Sequence, residues 1–183
     1  MSWLEMRAAF RLAAVVALAA GLAGCFTPMY AEKPDGSPSL RDKLSAVEVP
    51  PLSVPNASRE ARIGVSIRNA LMFAMYGGPT GAPPTHRLDL KLRTTRSSVM
   101  VDPRTARPDV ENYGIDAEYR LVEVATGKQV MNGSTFARVS FDNPGQEQRF
   151  ARVRSLRDAE DRAAKQIADN ITTRLAAYFT AGT

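Results

Sequence analysis

Few side chains in this chain could do chemistry. Among 183 residues there is one cysteine, Cys25, and one histidine, His86. A zinc site normally draws its ligands from Cys and His, and one of each, far apart, cannot build the usual cluster. His86 stands in Pro83-Pro84-Thr85-His86-Arg87 at the start of an alternating run, where a strand-edge role fits better than acid–base catalysis. Gly77-Gly78-Pro79-Thr80-Gly81 lacks the Gly-Lys-Ser/Thr that a phosphate loop needs, and Pro79 interrupts the helix start, so it is a turn. Asp158 and Asp161 have helix-surface spacing and carry no glycosidase signal. The inventory argues against an enzyme and calls for no cofactor or metal.

Cys25 offers a different reaction, acylation. It closes Leu22-Ala23-Gly24-Cys25, behind Arg7 and Arg11 and an apolar run from Leu12 to Leu22. A positive n-region, a short apolar core and small residues before the cut are the parts of an export signal. The run is short of the ~20 apolar residues that span a bilayer. The Leu-x-Gly-Cys ending adds a lipoprotein signal: residues 1–24 are cleaved and Cys25 becomes the acylated first residue. With its only thiol used, the mature chain has no disulfide and must rely on a packed core.

Arginine is the remaining chemical resource. The net charge of the whole chain is +5, and loss of Glu5, Arg7 and Arg11 with the signal leaves it modestly basic. Arg93 and Arg96 lie at the end of one alternating run, Arg104 and Arg107 in the loop after it, and Arg149, Arg152, Arg154 and Arg157 at the entry to the last helical segment. If the two later regions converge, their guanidinium groups could take phosphates in bidentate geometry. No nucleic-acid-binding motif accompanies them.

The elements that would position these groups follow from periodicity. Residues 25–43 are Pro-, Ser- and charge-rich and form a tether, with the folded domain over 44–183. Ala46 to Leu52 is a short strand stopped by Pro50-Pro51, suited to a sheet edge. Ser58 is an N-cap, and Ile63, Ile67, Leu71 and Ala74 give a helix ended by Gly77. Leu88, Leu90 and Leu92 alternate with charge, as do Ile115, Ala117, Tyr119 and Leu121; both are half-buried strands. Ala125-Thr126-Gly127-Lys128 turns into a third long strand over Gln129–Phe141. Leu156, Ala163, Ile167, Ile171, Leu175 and Tyr178 mark a long helix within about 146–180. The expected fold is α+β, a two-layer α/β sandwich in the order β-α-β-β-β-α, with a mostly antiparallel four-stranded sheet and two helices on one face.

The lipobox, the tether, this element order, Asp116-Ala117-Glu118-Tyr119, Phe141-Asp142-Asn143-Pro144, and a charged last helix with Ala163-Ala164 and Arg174-Leu175 together resemble the LPS-assembly lipoprotein (LptE) family. Cys25-Phe26-Thr27-Pro28-Met29-Tyr30 is similar to that family's start after its acylated Cys. The resemblance covers essentially the whole mature chain. It implies a non-enzymatic outer-membrane lipoprotein, on the periplasmic face, that plugs and helps assemble an LptD-like β-barrel and binds lipopolysaccharide. It implies Arg152 as one lipopolysaccharide-binding position, and Arg104 and Arg107, at the tip between the first two long strands, as candidates for another. Phe26 in place of Asp implies outer-membrane sorting. The competing reading is an auxiliary lipoprotein of a phospholipid ABC transport system; a lipid-anchored hydrolase is disfavoured by the poor catalytic inventory.

Overall fold

A computed structural model describes residues 36–77, 83–102, 104, 107–143 and 148–181, with the side chains of 100–102 and 107–109 excepted. Cys25 and the signal residues lie outside the described residues, as does the Arg107 side chain. The chain divides into two units, and the second, Leu40–Thr183, carries the fold.

That unit contains α1 (Leu40–Ser45), β1 (Val47–Glu48), α2 (Arg59–Tyr76), β2 (His86–Asp102), β3 (Arg107–Glu123), β4 (Gln129–Asp142) and α3 (Arg149–Ala181). It is an α+β fold with one four-stranded mixed sheet, in the order β1-β2-β3-β4. Helix α1 begins at Leu40, ahead of residue 44 where patterning places the folded part. Six residues with only Leu40 and Leu44 buried are too few to register as a period. Strand β1 is shorter than its expected span and pairs parallel to β2, because a helix crosses between them. The other ladders are antiparallel.

The ends of α2 follow its capping chemistry. The Ser58 hydroxyl accepts from the Ala61 amide at 3.0 Å. Gly77 takes φ 70°, the left-handed region open to glycine, and its amide donates to the Phe73 carbonyl oxygen. Ile63, Ile67, Leu71 and Met75 are buried.

Alternation along β3 puts Tyr113, Ile115, Ala117, Tyr119 and Leu121 in the core, joined from β4 by Ala137, Val139 and Phe141. Helix α3 packs on β4, β3 and α2. Its buried stripe, Ala163, Ala164, Ile167, Ala168, Ile171, Leu175 and Ala176, is rich in alanine, which lets the helix approach closely. Tyr119 lies over Gly133: a Cβ there would sit 2.5 Å from the phenol oxygen.

One buried acid ties the helices together. Glu160 is 2% exposed. Its Oε2 accepts from Arg62 Nη2 at 2.6 Å, while Arg59 stands 3.8 Å from Oε1. Burial and the Glu160 charge push the Tyr113 phenol up to about 12, against the opposing pull of Arg59 and Arg62.

Candidate anionic-lipid site at one end of the sheet

The register places the basic segments. Val110 is the last β3 residue opposite β4, paired with Asp142. The β2–β3 hairpin continues past that point through Val101↔Pro108 and Asp102↔Arg107, an overhang of ~10 Å at the usual rise per residue. The chain leaves β4 at Asp142 and enters α3 at Arg149. The hairpin tip and the start of α3 therefore lie at the same end of the sheet.

Helix α3 also starts well before its buried stripe. Arg149 to Asp158 precede Ala159, the first buried residue, a projection of ~15 Å. Phe150 is 88% exposed, Val153 is 48%, and Val99 on the hairpin is 57%. Arg149, Arg152, Arg154 and Arg157 form no ion pair among the described residues. Arg152 is half-buried, and Arg104 is exposed in the hairpin turn. The first turn of α3 has no acidic residue. Arginines there add to the positive end of the helix dipole, a mutual repulsion that an anion would relieve.

The Asp-Asn-Pro corner fixes the entry to α3. Asn143 Nδ2 donates to Glu111 Oε1 at 2.6 Å, and Ser155 Oγ donates to the Asp142 carbonyl oxygen at 2.8 Å. Glu111, 7% exposed, also accepts from Arg96. Arg96 lies over the Phe141 ring, 5.4 Å from its centroid. Of the basic residues grouped by sequence, Arg96 is thus committed to holding the corner. Glu111 is the partner that sequence reasoning missed. An acid on the core-facing, alternating side of β3 is the signal that could have found it.

The other motif residues are spread through the sheet. Asp116 pairs with Arg138 at 2.7 Å on the outer face, while Ala117 and Tyr119 are core. His86 is half-buried at the start of β2, edge-on to Phe179 with centroids 5.2 Å apart. Burial lowers its pKa, against the pull of Glu123. Its Nδ1 shares a 2.9 Å hydrogen bond with Thr85 Oγ1. Among the described residues no group of three His, Cys, Asp or Glu could hold a metal ion, and no helix is long and apolar enough to cross a membrane.

The model of the family LptE: Lipopolysaccharide-assembly matches residues 44–175, well over half of the chain. The chain belongs to this lipopolysaccharide-assembly family. Two crystal structures share the fold. A candidate lipoprotein from Caulobacter crescentus CB15 is 22% identical, with a TM-score of 0.60 over 77% of this chain and 96% of its own. The rare lipoprotein B from Shewanella oneidensis is 15% identical, with a TM-score of 0.51 over 73% and 96%. No curated protein sequence matches the chain significantly.

Proposed function

We propose that this family member is an outer-membrane lipoprotein that plugs and helps assemble the lipopolysaccharide-translocon β-barrel, and that it binds lipopolysaccharide through the projecting end described above. Acyl groups on Cys25 hold it at the periplasmic face of the outer membrane. Helices α2 and α3 form one layer on the apolar face of the sheet. The domain needs no catalytic group, because its task is contact.

The observation that carries the binding half is the pairing of charge with exposed apolar surface at one end. Phosphates on lipid A or core sugars meet Arg152 and Arg104, with Arg107 of the hairpin as a further candidate. Phe150 and Val153 offer apolar surface for the acyl region. Helix α3 keeps this end projecting because the Asn143–Glu111 and Ser155–Asp142 bonds hold its first turns.

Mild-detergent purification of the tagged, lipidated protein from its own membranes tests the assembly half. Mass spectrometry should find a stoichiometric outer-membrane β-barrel. Recovery of an ABC transporter complex without a barrel would overturn it.

A further inference from the structure

The β2 edge is left open by a specific feature of sequence. His86 donates its amide to the Ala46 carbonyl oxygen, so its peptide polar groups face β1. By the two-residue period, Leu88, Leu90, Leu92 and Thr94 face the same way. A parallel ladder running on from Glu48↔Arg87 would next need the residue 50 amide to reach the Leu88 carbonyl oxygen. Residue 50 is Pro, residue 51 is Pro, and neither has an N–H. Arg68 Nε takes the Val49 carbonyl oxygen at 2.7 Å and draws the chain away toward α2. Among the described residues, no strand pairs with β2 on this side beyond Arg87.

The departing segment becomes a wall. Pro50 to Val54 and the β2 edge enclose an open cleft of about 690 Å³, within the range of ligand-binding clefts. Leu52 and Val54 are half-buried on one side. On the outer side Asp89, Lys91 and Arg93 alternate. Asp89 is taken by Arg87 at 3.1 Å and Arg120 at 3.4 Å. Asp116 and Glu118 of β3 also line the cleft, Asp116 held by Arg138 at 2.7 Å and Glu118 opposite Lys91 in the register. Lys91 and Arg93 are exposed and form no ion pair with a described residue, which leaves two cations against the one acid, Glu118. The β4 edge at the far side of the sheet is different: Arg162 covers the Ser140 carbonyl oxygen and Asn170 reaches Thr135.

We propose that this cleft is a strand-addition site, which takes an extended segment of a partner protein with alternating apolar and acidic residues. The segment's backbone pairs with Leu90 and Leu92. Its apolar residues turn toward Leu52 and Val54, and its acidic residues lie beside Lys91 and Arg93. Main-chain hydrogen bonds supply the affinity, and the alternate side chains supply the choice of partner. The site lies apart from the arginines of α3 and does not depend on their role.

The test uses the full lipidated protein in detergent with two synthetic hexapeptides, one alternating Val and Glu, the other Val and Lys. Amide exchange at Leu90 and Leu92 should slow at least tenfold with the acidic peptide and not with the basic one. The double variant Lys91→Glu/Arg93→Glu, altered only at exposed side chains, should invert that preference. Unchanged exchange at both amides would overturn the proposal, as would equal protection by the two peptides or protection of β4 amides instead. Protection that appears without peptide and rises with protein concentration would show that a second copy fills the cleft, and would also overturn it.

Discussion

Helix α3 contains two regions built on opposite principles. From Ala159 to Phe179 the inward stripe is buried, and two outward cations are met by neighbours, Arg162 by Asp158 at 2.7 Å and Lys165 by Asp169 at 3.0 Å. From Arg149 to Asp158 no residue is fully buried, Phe150 is exposed, and four arginines form no ion pair among the described residues, Arg149 and Arg152 in the first turn at the positive end of the dipole. The first region holds the fold. The second carries the proposed lipid contact. The difference separates stability from the proposed function along one helix, and each region can be tested by whether its loss unfolds the protein or silences it.

The largest expected effect is in the buried region. Ile167→Ala removes a side chain with 0% exposure and should cost ~2–5 kcal/mol in denaturant unfolding, without changing lipid binding under conditions where the variant is folded. Next is the helix clamp. Arg62→Ala leaves Glu160 buried with only the distant Arg59, and should cost about 2 kcal/mol, below the range for a fully buried pair because Arg62 is half-exposed. Arg62→Leu with Glu160→Leu should recover most of that loss, since a buried ion pair can be replaced by apolar side chains at little cost.

At the boundary between the regions, Asn143→Ala should cost roughly 1–2 kcal/mol. It should speed amide exchange across the first turns of α3, where the corner now fixes the helix. A smaller effect is expected with pH. The Tyr113 phenol is raised in the folded state, so its contribution is full below the unfolded value near 10 and is lost as pH rises from there toward 12. Unfolding curves between pH 9 and 12, compared with Tyr113→Phe, check this. The smallest stability change belongs to the projecting end: Arg152→Glu with Arg154→Glu should move stability by no more than about 0.5 kcal/mol, yet abolish retention on lipopolysaccharide-containing vesicles.

The same division governs what the sequence could disclose. Leu88, Leu90 and Leu92, the β3 alternation, the α2 caps and the α3 stripe were legible because each buries one face against the core, which imposes a period on neighbouring residues. Both long strands run further than that period. Thr94 to Ser98 carry β2 onward opposite Ile115 to Glu111 with no apolar residue of their own, and beyond Val110 the hairpin has no β4 beside it. Parallel pairing of β1 and the Arg96–Glu111–Asn143 corner depend on register and on residues 15 to 32 apart; no local pattern encodes them. The arginines were visible individually, but that Arg96 is consumed by Glu111 while Arg152 forms no ion pair with a described residue requires the fold.

The most direct test is a photo-crosslinking comparison in intact cells. A photoreactive amino acid replaces Val153, on the projecting turns of α3, or Val65, which is at least as exposed, on α2. The account predicts a lipopolysaccharide adduct at position 153, absent at 65 and lost when Arg152 is changed to Glu. An adduct of equal yield at both positions, or one at 153 that survives Arg152→Glu together with Arg154→Glu, would contradict it.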